Sequence, residues 1–409
     1  MSNKRKKMVV FHLANMYNGQ FFRVKQNVAF FSQFAAVDTL EIRIRFPLPL
    51  KWINKGKKAE WISSRHITLP IQCPWLGRVT KLWDAFWGAV ISFFLIYLFS
   101  PDLVLCETDF TSRYAMYVKK FKRSTLVMAD FHGAAAEEYR FTNPKISQEK
   151  IDYVLDQRRS LCEHADIIIC QSGEMVIFLK SLMENKKQIF CYPMTIEDNW
   201  RISLDDIKEK RRNLREKLHL NESHHIFIYT GGLTKWQKID VLLRIFEKYH
   251  ARYPDSILLF FSTAEDTSWV PCEYYDLLHS EAMRIRSVTH AEIADYLCVA
   301  DIAFLIRDDI LLNRVASPTK FGEYLSRGLP IITGSVAKHW GPDDYDFNEC
   351  FVFEDEYDDD EALIEGIHSK LMVIDNSLRQ RIIYYAWHLY GEKENDERLK
   401  VELEPYFNH

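Results

Sequence analysis

Short apolar runs alternate with helix-patterned segments along most of this chain, and the alternation occurs twice. In the first series Leu103–Cys106, Thr125–Met128, Ile167–Cys170 and Gln188–Tyr192 read as strands. Ser112–Phe121, Gln148–His164 and Ser172–Met183 lie between them with helical spacing. Strands that are apolar throughout are buried on both faces, which calls for a parallel sheet covered by helices. Upstream, Met8–Ala14 and Leu40–Arg45 read as strands around a helix at Phe21–Phe34, and Pro47–Pro74 reads as irregular. The polar stretch Ile196–Ser223, with one helix, marks a boundary. The second series has strands at Ile226–Tyr229, Ile257–Phe261, Ile302–Ile306, Leu329–Thr333 and Cys350–Phe353. Its helices are Ile239–Tyr249, Ala291–Cys298 and Thr319–Arg327, and Glu361–Leu389 closes it as a helical stretch. The expected fold class is α/β, with two doubly wound domains at 1–197 and 198–385 facing each other across a cleft. A helical segment, 386–409, is expected to pack back on the first domain. In such sheets ligands bind beyond the carboxyl ends of the strands, so the cleft is the expected active site.

A length of 409 residues suits two or three domains, and 47% hydrophobic against 27% charged residues excludes a disordered chain. The net charge of −4 hides an asymmetry: residues 1–125 hold 20 Lys or Arg and 7 Asp or Glu. A basic N-terminal part points to an anionic partner, either a membrane surface or nucleic acid. Basic residues interleaved with aromatics in a recognisable nucleic-acid module are absent, so no nucleic acid is expected. The eight cysteines show no CxxC spacing and read as reduced core thiols in a cytoplasmic protein. No secretory leader is expected, because the apolar run after Met1–Lys7 is interrupted by Asn15 and Asn18. The apolar stretch Ala85–Phe99 has 15 residues, short of the roughly 17–25 a span requires. It reads either as a core helix of the first sheet or as a helix dipping into a membrane interface.

Chemistry concentrates in Asn313–Gly334, NRVASPTKFGEYLSRGLPIITG. Ser317 is expected to cap the helix and Pro318 to open it, leaving amide donors and partial positive charge for a phosphate. Thr319 and Lys320 stand at the same end, and Glu323, one turn on, can accept from two vicinal hydroxyls. A capped helix with surface charges fits these residues equally well. The loop Tyr229–Lys238 follows a strand, and Gly231 and Gly232 there let backbone approach a phosphate that Lys235 neutralises. A plain tight turn is the alternative. Arg307 ends the strand-like run Asp301–Arg307 and either reaches a phosphate or is a surface arginine.

SPTKFGEYLSRGLPIITG resembles the donor-site signature of GT-B glycosyltransferases, of the broad family 4 type that builds bacterial surface polysaccharides. The resemblance implies two Rossmann-like domains, with Glu323 on the nucleotide ribose and the amides of Ala316–Thr319 on the diphosphate. Gly231, Gly232 and Lys235 resemble the family's donor loop, and Asp301–Arg307 its phosphate-side strand. His132, in Asp130-Phe131-His132-Gly133, resembles the histidine near the transferred sugar; a structural turn histidine is the alternative. Glu138, or Glu137 beside it, is a candidate for a sugar contact or base. Gly19, after Asn18, resembles the glycine loop that approaches donor and acceptor, and reads equally well as a turn. The sequence departs at Val315, where many relatives carry the first of two glutamates eight residues apart. That role is lost or moved to Asp308, Asp309 or Asn313.

The resemblance further implies a retaining, metal-independent transfer from a nucleotide sugar, with UDP or GDP as the expected carrier, to a glycan or lipid-linked acceptor. No cofactor and no metal ligand are expected, and Asp308-Asp309, Asp343-Asp344 and Asp358–Asp360 read as solvated acidic loops. Peripheral contact with an anionic membrane, at the inner face of the cytoplasmic membrane, fits the basic N-terminal part. Two other readings stay open: a GT-B-like binding protein without catalysis, and a nucleotide-sugar epimerase of the same fold. Neither a P-loop, nor a complete GxGxxG fingerprint, nor a GxSxG elbow is present.

Overall fold

The apolar runs pair side by side as parallel strands in two sheets. The computed structural model describes residues 6–12, 20–44, 65–72, 75–183, 187–262, 267–341, 350–356 and 360–407. The chain divides into two compact units, up to Pro193 and from Met194 to Asn408.

In the first unit the order is β1 (Lys6–His12), α1 (Gln20–Phe31), β2 (Ala35–Ile44), β3 (Arg65–Gln72), α2 (Arg78–Phe99), β4 (Leu103–Glu107) and α3 (Ser112–Phe121). It continues with β5 (Leu126–Phe131), α4 (Ala135–Thr142), α5 (Gln148–His164), β6 (Ile167–Cys170), α6 (Gly173–Leu182) and β7 (Ile189–Cys191). The sheet order is β3-β2-β1-β4-β5-β6-β7. Phe11 pairs with Leu40 on one side and Cys106 on the other, so the winding direction reverses between β1 and β4. Every residue of β4 and of β6 is buried, which explains why these strands are apolar without alternation.

The second unit opens with α7 (Leu204–Lys217), β8 (His225–Thr230), α8 (Ile239–Arg252), β9 (Ser256–Phe261), α9 (Tyr275–His279), β10 (Met283–Arg286) and α10 (His290–Tyr296). Then come β11 (Ile302–Leu305), α11 (Leu311–Arg314), α12 (Thr319–Leu325), β12 (Ile331–Thr333) and β13 (Phe351–Phe353). Three helices finish it: α13 (Asp360–Met372), α14 (Asn376–Tyr390) and α15 (Glu392–Phe407). The order β10-β9-β8-β11-β12-β13 repeats the winding of the first sheet, with its reversal between β8 and β11. Phe321 of α12 packs among Trp340, Phe351 and Tyr390, fixing that helix against both the sheet and α14.

Several expectations are corrected. Arg65–Gln72, expected to be irregular, is an edge strand; its Pro70 is tolerated because one side of an edge needs no donor. Met283–Arg286 is a second edge strand that its two arginines concealed. The apolar helix α2 begins seven residues before Ala85 and has 22 residues, long and apolar enough to cross a membrane by length and composition. The closing stretch Glu361–Leu389 is broken between Met372 and Asn376, where Asp375 caps α14 by accepting from the Leu378 amide. Among the described cysteines, Cys191 and Cys272 are exposed rather than in a core.

Asp301, just before β11, ties the second unit together. It accepts from Arg211 and Arg215 of α7 and from the Ile226 amide of β8. Burial opposes its ionisation, yet Arg211 and Arg215 hold the carboxyl below its usual value. That stabilisation is full above the usual carboxylate pKa near 4 and is lost as pH falls from there through the lowered pKa of the folded state. Asp301→Ala leaves the guanidinium groups of Arg211, Arg215 and Arg379 without their carboxylate, so denaturant unfolding at neutral pH is expected to show a loss of about 3–5 kcal/mol.

Candidate functional site

The reversal of strand order in the second sheet opens a crevice beyond the ends of β8 and β11. Gly231 follows β8 with a φ of +135°, a region that glycine enters without strain. A Cβ there would stand 2.6 Å from the Lys320 ammonium. The glycine is thus needed for close approach, and what approaches is a cation from α12. Lys320 donates to Gln237 Oε1 at 2.9 Å and lies over the Tyr229 ring at 4.5 Å. Tyr229 in turn donates to the Gly232 carbonyl at 2.6 Å, and Tyr324 binds the Thr230 amide at 2.9 Å, so the loop is held from both sides.

Arg307, at the carboxyl end of β11, faces the same space, with its guanidinium 5.7 Å from the Trp340 ring. Among the described residues its buried Nε has no hydrogen-bond partner. Burial pulls its pKa down to about 10, against the pull of Tyr229 and Tyr324. Lys320 is driven well below the usual lysine value by burial and by the neighbouring charge of Arg307, with Glu323 opposing. Among the described residues no carboxylate forms an ion pair with either group. Two enclosed cations without an anion repel one another, and a bound dianion would remove that repulsion.

Glu323 is 9% exposed, one turn along α12 from Lys320. His290, at the start of α10, takes its Oε1 at 2.9 Å. Among the described residues Oε2 has no partner and remains available to a hydroxyl. The His290 ring leans on Trp200 at 5.0 Å, which fixes its direction.

Other predicted residues are placed differently. Ser317 does not cap the helix: Pro318 is the N-cap, and the Ser317 hydroxyl accepts from the Met194 amide at 3.1 Å. Thr319 is the first residue of α12, which spans only seven residues, so the two cations carry most of the positive charge. Lys235 stands exposed on a short turn after the glycines, Gly232 is exposed, and Lys238 is engaged with Asp308 at 2.8 Å. Val315 is fully buried. None of its suggested substitutes is uncommitted: Asp308 holds Lys238, Asp309 holds Arg314, and the Asn313 side chain donates to the Asp308 carbonyl. Gly19, Asp343, Asp344, Asp358 and Asp359 lie outside the described residues.

The first unit builds a second polar cluster at its own strand ends. Arg23 of α1 grips both oxygens of Asp130 at 2.7 and 2.9 Å and donates to the Tyr192 carbonyl at 2.7 Å. Asn27, one turn on, donates to Glu107 and to Asp130. His132 sets Nε2 3.1 Å from Asp130 and 3.6 Å from Glu107, so that nitrogen carries the proton. Among the described residues its Nδ1, also enclosed, has no hydrogen-bond partner. Burial pushes the Glu107 carboxyl up to about 7, whereas Asp130 overcomes burial and is held well below the usual range by Arg23 and His132. Glu107, Asp130 and His132 each offer a ligand atom within 4.8 Å of the others, a spacing that could hold a metal ion. Arg23 already neutralises Asp130, which makes the cluster a poor cation site. Glu138 is exposed on α4, and among the described residues no hydrogen bond or ion pair joins it to His132; Glu137 is bound to Arg158 at 3.1 Å.

Sequence reading missed Arg23, Asn27 and His290. Each meets its partner only through the fold, across separations of 107, 80 and 33 residues.

No protein-family model and no curated protein matches the sequence. Solved structures do match. Sucrose-phosphate synthase from Thermosynechococcus elongatus superposes with a TM-score of 0.70 at 14% identity, covering 99% of this chain and 100% of that one. An Escherichia coli trehalose-6-phosphate protein bound with UDP-2-fluoro glucose gives 0.63 at 11% identity, over 97% and 99%. A glycosyltransferase from Rickettsia africae gives 0.62 at 12%, over 99% and 100%. The chain therefore has the two-domain Rossmann-like fold of GT-B glycosyltransferases.

If the Arg307–Lys320 pair is an anion site, pyrophosphate should raise the melting temperature of the wild type. Lys320→Met removes one of two like charges. It is expected to keep or raise the melting temperature without ligand and to abolish the pyrophosphate response in a thermal scan.

Proposed function

We propose that this protein is a glycosyltransferase that takes a sugar from a nucleoside-diphosphate sugar and passes it to a hydroxyl of a glycan or lipid-linked acceptor. The observation that carries the reading is the enclosed pair Arg307 and Lys320, cationic and without a carboxylate, beside a glycine that gives way for the lysine. A departing nucleoside diphosphate gains negative charge as the glycosidic bond breaks. Fixed cations in a site of low dielectric stabilise that charge more than they stabilise the intact donor. In this reading the two side chains supply the charge a divalent ion would otherwise bring, and the reaction needs no metal.

Glu323 is assigned to the ribose. Its free Oε2 accepts from one hydroxyl, while His290 on Oε1 holds the carboxylate in place. The UDP sugar bound by the Escherichia coli relative makes UDP the first carrier to try. Lys235, exposed beside the glycines, is assigned to the outer part of the diphosphate or the sugar. In the first unit, His132 is assigned to the sugar or acceptor through its unpaired Nδ1, with Asp130 holding the proton on Nε2.

Calorimetric titration of UDP, GDP, ADP, CMP and dTDP without added metal tests the reading. One nucleotide should bind selectively. Glu323→Ala, which removes a charged hydrogen-bond acceptor worth roughly 1.5–3 kcal/mol, should weaken it by more than about tenfold. Binding of no nucleotide would overturn the proposal and favour a binding protein of the same fold.

A further inference from the structure

Helix α2 carries a continuous apolar stripe that the described chain leaves largely exposed. Val79, Leu82, Phe86, Val90, Phe93 and Tyr97 follow one another at steps of three and four, which puts them on one face from end to end. Of these, Val79, Leu82, Phe86, Phe93 and Tyr97 are between 52% and 78% exposed. Monomeric soluble proteins rarely leave a continuous apolar face of this kind in water.

The opposite face explains how the helix is held. Gly88 lies against Arg113 and Tyr117 of α3, Ser92 donates to the Tyr114 carbonyl, and Asp84 accepts from Tyr153 of α5. Asp84 is the helix's acidic residue, and this contact turns it inward. A spanning helix would have to strip these polar contacts into lipid, and it joins β3 to β4 of one sheet, so α2 can only lie flat. Its 22 residues, at 1.5 Å each, then present a strip about 33 Å long.

The rim of the strip is basic. Arg78 is exposed at the first end. At the other, Phe93 meets Phe121 of α3, itself 42% exposed, and Lys120 and Arg123, close to Phe121 in sequence, are both exposed. An apolar face with cations at its edges fits the boundary between acyl chains and anionic headgroups.

We propose that this protein docks on an anionic lipid bilayer through the exposed face of α2, lying in the plane of the interface. The docking is independent of the donor site, since no residue is shared.

The test is sedimentation of the full-length protein with vesicles of phosphatidylcholine alone and of phosphatidylcholine with phosphatidylglycerol. The wild type should partition onto the mixed vesicles and more weakly onto the neutral ones. Leu82→Glu/Phe86→Glu should lower partition at least about tenfold while leaving nucleotide binding and the far-ultraviolet spectrum unchanged. Lys120→Ser/Arg123→Ser should remove the preference for the mixed vesicles. Equal partition of wild type and the glutamate variant, or no partition onto either vesicle, would overturn the proposal. So would a wild-type dimer in solution that the glutamate variant converts to a monomer without vesicle binding, because the stripe would then be covered by a second copy. Loss of nucleotide binding with intact vesicle binding would instead bear on the donor site alone.

Discussion

Holding the guanidinium of Arg307 and the ammonium of Lys320 in one enclosed space costs free energy, which Gln237, the Tyr229 ring and the charge of Glu323 offset only in part. Burial and mutual repulsion both push the lysine towards its neutral form. The surroundings are nonetheless arranged to keep the two groups there. Gly231 lacks the Cβ that would collide with Lys320, Gln237 and Tyr229 orient the ammonium, and Phe321 anchors α12 in the core. In the proposed reading, a bound anion relieves this strain, which several independent contacts maintain.

The two units wind their sheets in the same order and put their polar residues at the same point of reversal, yet the charge differs. In the first unit Arg23, Asn27 and His132 share the carboxylates Asp130 and Glu107, so each cation there faces a carboxylate. In the second unit the positive charge stands open. The same backbone geometry thus carries paired carboxylates and cations in one unit and, in the other, two cations that form no ion pair with a carboxylate among the described residues. Fold alone does not decide which.

The architecture was largely legible because buried parallel strands are apolar throughout and cannot be mistaken for surface. The edge strands β3 and β10 were not, since an edge tolerates Pro70 and the charges of Arg284 and Arg286. Gly231, Arg307, Lys320 and Glu323, which the structure brings together, could be singled out in the sequence because each lies in a short motif at a strand or helix end. The role of Ser317 was misread: Ser-Pro before a helix reads as cap and first residue, but the proline itself takes the cap position. His290 and the Arg23–Asp130 pair carry no local signal, since a long-range contact leaves no spacing pattern in one sequence. The exposure of α2 was equally invisible, because an apolar helix has the same composition whether it faces a core or a lipid surface.

The central claim is that a diphosphate completes the charge of Lys320 and Arg307, and proton linkage tests it most directly. Binding of the nucleoside diphosphate would be measured by calorimetry in buffers of different ionisation enthalpy, at a pH above the phosphate titration and below the usual lysine pKa of about 10.4. An anion beside Lys320 raises its depressed pKa, so binding should take up protons from the buffer, and the uptake should vanish in Lys320→Met. Binding with no proton uptake, or uptake unchanged in the variant, would contradict the account.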